Sequence, residues 1–216
     1  MLLALKSAGT PALRKPMPKI QKSFYTRPDV VQISKELLGK FLYTKIDGIL
    51  TGGMIVETEA YSGENDKACH AHLGRRTKRT EIMYHTGGVA YTYLIYGIYT
   101  LFNIITNETG KADAVLIRAI EPTEGLKEMQ LRRNQAKIRT NLTAGPGLLS
   151  QALGISTKHY GTDLTGNLIW LEDKKVEIHE SEIIASPRVG IAYAEEHALL
   201  PWRFRIKNNK WTSKAK

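Results

Sequence analysis

Apolar positions recur with two different periods along this chain. In VVQISKELLG, Val30, Ile33, Leu37 and Leu38 share one face of a 3.6-residue repeat, which predicts a helix. Asp29 stands where a cap belongs and Gly39 where the helix should stop. The pattern then turns strand-like: KFLYTKI, the dipeptide Asp47-Gly48, and ILTGGMIVETEAY. Asp-Gly between two such runs predicts a β-hairpin. In the second strand, expected through Ile55–Tyr61, a period of two puts Glu57, Glu59 and Tyr61 on one face. Val56, Thr58 and Ala60 take the other.

A polar loop, SGENDKACHAHLGRRTKRTE, separates this strand from AYTYLIYGIYTLFNI at 90–104. That stretch holds Tyr91, Tyr93, Tyr96 and Tyr99 around Gly97, where a hairpin would turn. A strand is expected from Ala112 to Pro122 and a helix with a basic end over 122–139. A short helix should open at Ala144-Gly145-Pro146-Gly147, and further strands at 168–172 and 201–207. No internal repeat or interdomain linker interrupts this order, and no regular βαβ rhythm organises it. The fold class expected is therefore α+β in a single domain. Residues 1 to about 20 carry Lys6, Arg14, Lys15 and Lys19, three prolines and no acid. They read as a disordered basic arm or as the product of a start upstream of Met17, with little support for an organelle presequence. Order is expected from near Phe24, a domain over 21–207, and a short basic tail at 208–216.

Charge adds a partner class. The 31 Lys+Arg against 21 Asp+Glu leave a formal charge of +10, which favours a polyanion: nucleic acid or an anionic membrane surface. No apolar run is long enough to span a bilayer. The lone cysteine, Cys69, excludes an intrachain disulfide framework. Cys69, His70, His72 and His85 lack the paired spacing of a zinc site, so neither a metal nor another cofactor is expected.

Candidate chemistry centres on Glu57 and Glu59. A carboxylate pair on one strand face is either solvated or lines a polar cleft, because burying it unpaired is costly. Paired carboxylates serve glycoside hydrolysis. Residues two apart on a strand project in parallel, however, so one would act on a sugar C1 or a nucleoside C1′ while the other supports it.

An ordered series of motifs narrows this. IVETEAY (55–61) is followed by Ala68 and His70, by Gly74, Arg75, Thr77 and Arg79, and by the tyrosines of 91–99. Asn103, LIRAIEP (116–122), AGP (144–146), SQALGI (150–155) and PRVGI (187–191) complete it. Over roughly residues 22 to 206 the chain resembles the alkyladenine (3-methyladenine) DNA glycosylase family.

The resemblance implies an antiparallel or mixed curved sheet with flanking helices and a protruding β-hairpin. It implies a monomer acting on double-stranded DNA, cytoplasmic in a bacterium or nuclear in a eukaryote. The reaction implied is hydrolysis of the N-glycosidic bond of flipped-out 3-methyladenine, 7-methylguanine, hypoxanthine or ethenoadenine. Glu59 would activate a water, Arg118 would share that water or hold Glu59 anionic, and the Val189 carbonyl would be a further partner of the water. Tyr61 and Tyr93 would sandwich the base, with His70 and the Ala68 carbonyl reading its edge. Asn103 would exclude guanine, and Tyr96 would intercalate. Arg75, Arg76, Lys78 and Arg79, with Gly145 at a helix start, would meet phosphates. Leu148 and Glu81 depart from relatives that carry lysine and arginine there. No lysine falls in the matched pocket motifs, so a Schiff base is not expected and an abasic site should remain. Two rivals stay open on the residues alone: a hydrolase of free nucleosides or sugars, and a non-catalytic binder that uses tyrosines as stacking platforms.

Overall fold

The computed structural model describes residues 17–214. Helices α1 (Lys22–Tyr25) and α2 (Val30–Glu36) precede strands β1 (Phe41–Ile46), β2 (Ile49–Tyr61), β3 (Ala90–Ile95), β4 (Tyr99–Thr106) and β5 (Asp113–Glu124). Then follow α3 (Leu126–Arg132), α4 (Pro146–Leu153), β6 (Ile169–Glu172), β7 (Ile183–Ser186) and β8 (Arg203–Ile206). Among the described residues the strands form one open eight-stranded sheet in the order β3-β4-β5-β2-β1-β6, with β8 pairing β2 and β7 pairing β8. Every pairing is antiparallel. The α+β, single-domain expectation holds.

Local chemistry explains the leading elements. The Asp29 carboxylate accepts the Gln32 N–H at 2.9 Å and caps α2. Asp47 and Gly48 have φ of 53° and 77° between the paired Ile46 and Ile49, the two-residue turn whose twist matches the strands. Val30, Ile33, Leu37 and Leu38 join Ile55, Val56, Ile117, Ile120, Leu149 and Leu153 in the main core. Gly53 lies where β2 slips register against β5. A Cβ there would stand 2.1 Å from the Glu121 carbonyl oxygen, so the two backbones meet as only glycine permits.

Three expectations change. The helix anticipated over 122–139 shrinks to seven residues. Pro122 stays in β5 opposite Gly53, Gly125 turns at φ 69°, and Asn134 closes the helical stretch at φ 48°. Apolar periodicity there was confounded by a strand that runs on to Glu124.

Order also begins before Phe24. Ile20 is buried in the core and its N–H donates to the Leu171 carbonyl at 2.9 Å, while Lys19 bridges Glu172. Residues 1–16 of the anticipated arm lie outside the described residues. At the other end, the anticipated tail packs inward: Trp211 belongs to the main core and Ser213 is buried. No helix among the described residues is long and apolar enough to cross a membrane.

Since Trp211 is a core side chain, Trp211→Ala should cost about 3–5 kcal/mol of unfolding free energy. Urea unfolding would show this as a lower midpoint at nearly unchanged slope.

Candidate active site

The carboxylates sit at the centre of the sheet. Glu59 pairs with Leu116 on β5 and Arg203 on β8; Glu57 pairs with Ala119 and Arg205. Both strand neighbours are present, and Val56, Glu57, Thr58, Glu59 and Ala60 are all fully buried. The solvated alternative for the carboxylate face is thereby removed. The pairing skips Val56 on β2 and Arg118 on β5. An irregularity of this kind re-aims a side chain, and Arg118 reaches both acids: Nε to Glu57 at 2.7 Å and Nη1 to Glu59 at 3.2 Å.

Glu57 is the more heavily engaged. Its Oε1 accepts from Arg118, from Arg203 Nε at 2.8 Å and from Ser213 Oγ at 2.8 Å. Its Oε2 accepts the Ser213 N–H at 2.5 Å. Burial works to raise its pKa, but Arg118, the Ser213 amide and Arg203 together hold it below the ordinary value. Burial also opposes the charge on Arg118, and Glu59 and Glu57 overcome that. Glu59 accepts two hydrogen bonds, from the Val189 N–H on Oε1 and the Tyr61 hydroxyl on Oε2, each at 2.8 Å, and forms an ion pair with Arg118 Nη1 at 3.2 Å. Val189 therefore meets Glu59 directly through its amide N–H, a contact separate from the one anticipated between its carbonyl and the water.

Arg118, Val189 and Tyr61 line a cavity of about 810 Å³. Glu59 touches all three from behind this wall. Ala68, His70, Tyr93 and Asn103 line the same cavity, so every anticipated pocket residue converges there. The loop after β2 supplies one side, packing Cys69, Ala71, Ile82 and Met83 against Tyr91, Tyr93 and Tyr61. Burial pushes the Cys69 thiol up to about 12, which suits packing rather than reactivity. Asn103 is buried, with Nδ2 donating to the Tyr91 carbonyl at 3.2 Å. The Ala68 carbonyl accepts the Tyr193 hydroxyl at 3.2 Å.

The aromatic walls carry cations. The Arg188 guanidinium lies 4.7 Å from the Tyr61 ring centroid, and the Arg79 guanidinium 4.7 Å from that of Tyr93. Arg188 is buried; it pairs with buried Asp66 and donates to the Ala60 carbonyl at 2.8 Å. The His70 ring meets Tyr93 edge-on at 4.8 Å, and its Nδ1 lies 2.8 Å from the Tyr91 hydroxyl. Among the described residues no cluster of three or more His, Cys, Asp and Glu could hold a metal ion.

The sequence profile described as Methylpurine-DNA glycosylase (MPG) matches residues 23–210. The chain belongs to the methylpurine-DNA glycosylase family. Its relatives agree. A protein of Bacillus cytotoxicus named "Putative 3-methyladenine DNA glycosylase" is 47% identical over 194 residues, covering 86% of this chain and 95% of the relative. One of Bacillus cereus with the same name is 46% identical over 200 residues, covering 89% and 97%. One of Chlamydia felis, again so named, is 45% identical over 192 residues, covering 88% and 97%. The protein is thus a DNA glycosylase, a hydrolase of N-glycosyl bonds that acts in DNA repair.

In this glycosylase β3 and β4 turn through Tyr96-Gly97-Ile98, and the Ile98 N–H donates to the Ile95 carbonyl at 3.1 Å. Tyr96 is 83% exposed at φ 54°, a left-handed conformation that is strained for a bulky residue. Tyr91 is buried in the aromatic cluster, while Tyr99 lines the cavity and closely approaches the backbone of Gly147 in α4.

The cations assigned to phosphate divide. Arg75 and Lys78 are exposed in the loop, but Arg76 is paired with Glu81 at 2.6 Å and Arg79 stacks on Tyr93. Gly145 spends its own N–H on the Arg118 carbonyl at 3.0 Å, so anion contacts at α4 would fall to the following amides. Arg188 and Tyr193 were missed as site residues. Arg188 stands inside the recognised PRVGI, but its partner Asp66 is 122 residues earlier, and no local signal joins them.

Burial, then Arg79 and Arg75, depress the His70 pKa from 6.5 to about 4. Above pH 6.5 the imidazole is neutral in both folded and unfolded chains. As pH falls from 6.5 toward 4, the unfolded chain takes up a proton that the folded one refuses, so stability declines through that window. An NMR titration should show the His70 midpoint near pH 4, and His70→Gln should lose less stability between pH 6.5 and 4.

Proposed function

We propose that this glycosylase rotates an alkylated or deaminated purine out of duplex DNA into the aromatic cavity and hydrolyses its glycosidic bond with water activated by Glu59. One observation carries the reading. The Glu59 carboxylate is clasped by three groups of the cavity wall, Arg118, Val189 and Tyr61. A carboxylate has about four lone-pair positions. Among the described residues Val189 takes one on Oε1, where Arg118 also pairs, and Tyr61 takes one on Oε2, so Oε2 keeps a position for the attacking water.

The chemistry then follows in order. A glycosidic bond inside a base stack is out of reach, so the nucleotide must leave the stack, at a cost of a few kcal/mol. Exposed Tyr96 fills the gap as a wedge. The base stacks against the faces of Tyr61 and Tyr93 that the arginines leave uncovered. Purines alkylated at N3 or N7 are cationic and gain about 0.5–2 kcal/mol from such rings. Neutral hypoxanthine and ethenoadenine depend on edge contacts with the His70 N–H and the Ala68 carbonyl, the latter displacing the Tyr193 hydroxyl. Asn103 crowds the exocyclic amine of guanine.

As the base departs with the bonding electron pair, charge grows at C1′, and the buried anion of Glu59 stabilises it. Glu59 takes the water's proton while the oxygen bonds to C1′. Among the described residues no lysine lines the cavity, so the product is an abasic site without a covalent intermediate. Arg75, Lys78 and the first free amides of α4 bind phosphates. One chain supplies every group named, so a monomer suffices.

Glu59→Gln should retain binding to duplex DNA with methylated purines while free-base release falls about 10²–10⁴-fold. Release at the wild-type rate would sink the Glu59 assignment. Tyr96→Ser should raise the duplex concentration needed for half-maximal rate by about tenfold. A single-stranded substrate, which has no gap to fill, should show little change, and an equal loss on both substrates would exclude the wedge.

A further inference from the structure

The proposed role of Glu59 leaves Glu57 without a task, and the family match ends at residue 210, before the residue that touches Glu57 twice. From this we infer that Glu57 and Ser213 are positioning residues: the C-terminal segment clamps Glu57, Glu57 orients Arg118, and Arg118 sets the Glu59 carboxylate. The inference rests on Glu59 being the base.

Geometry supports each link. Ser213 gives Glu57 its N–H on Oε2 at 2.5 Å and its hydroxyl on Oε1 at 2.8 Å. The same hydroxyl oxygen lies 3.4 Å from Nη2 of both Arg118 and Arg203. Glu57 then takes Nε of each arginine, at 2.7 and 2.8 Å. With Nε held this way, the planar guanidinium of Arg118 has little freedom except to present Nη1 to Glu59 at 3.2 Å. All the side chains in this chain of contacts are buried, so losing a partner there is costly. The carboxylates number two and the paired guanidiniums two, so Arg118 shares its charge between Glu57 and Glu59. If Glu57 lost its charge, Arg118 would lose the acceptor that fixes its Nε, and Nη1 would no longer be held at Glu59.

The test compares Glu57→Gln, Ser213→Ala and Ser213→Thr with wild type. The substrate is duplex DNA methylated at purine N3 and N7, whose leaving bases are already cationic and need no protonation. Single-turnover release should fall about tenfold to a hundredfold in Glu57→Gln and about threefold to tenfold in Ser213→Ala. Ser213→Thr, which keeps the hydroxyl, should restore most of the rate. The dissociation constant for the same DNA should change less than about twofold.

A purely structural role would lower the melting temperature and leave the single-turnover rate of the folded fraction unchanged; that result overturns the inference. If Glu57→Gln does not fold, the Ser213 pair decides alone. Glu59→Gln runs alongside. If it still releases base, the Glu59 reading itself has failed. If it is inactive while Glu57→Gln and Ser213→Ala run at wild-type rate, only the relay is wrong.

Discussion

Four charges in the middle of a β-sheet govern this structure. Glu57, Glu59, Arg118 and Arg203 are all buried and sum to zero. An isolated ion in such a place would cost several kcal/mol. Here each has partners at 2.7–3.2 Å, and the backbone amides of Val189 and Ser213 take lone pairs the arginines do not reach. The arrangement requires β8 beside β2 and an irregularity opposite Arg118. The topology and the charge pattern therefore depend on each other: β8 brings Arg203, and without the skipped pairing Arg118 would stand in the ordinary alternation of its strand.

The aromatic cavity grows from the same strand. Tyr61 ends β2 two residues beyond Glu59 and hydrogen-bonds back to it. The loop that follows folds its apolar side chains onto Tyr91 and Tyr93, so the chain covers the sheet here with a pocket wall rather than with a helix. Arginines at the Tyr61 and Tyr93 rings show that these faces already attract planar cations. Burial, with Arg79 and Arg75 close by, keeps His70 neutral by disfavouring a further charge.

One hairpin carries both exposed and buried tyrosines. Tyr91 is sealed among ring and histidine contacts, whereas Tyr96 stands out at a left-handed backbone position with Gly97 after it. A bulky side chain in that conformation costs folding energy, and the exposure gives no core packing in return.

Much was determined by sequence alone. The two periods, the Asp29 cap, the Asp47-Gly48 turn and the ordered motifs specified the leading helix, the β1–β2 hairpin, the pocket residues and the family, because each depends on neighbours within a few positions or on a recognisable string. Tertiary structure decided the rest. Whether the Glu57–Glu59 face was wet or dry depended on β8, nearly 150 residues away. The partners of Arg188 and Glu57, Asp66 and Ser213, are separated from them by 122 and 156 residues. The same holds for the end of the chain: its lysines suggested a tail, but Trp211 and Ser213 are drawn inward by a core and a carboxylate that no local pattern reveals. Burial and charge pairing are properties of what surrounds a side chain in space, and periodicity records only what lies beside it along the backbone.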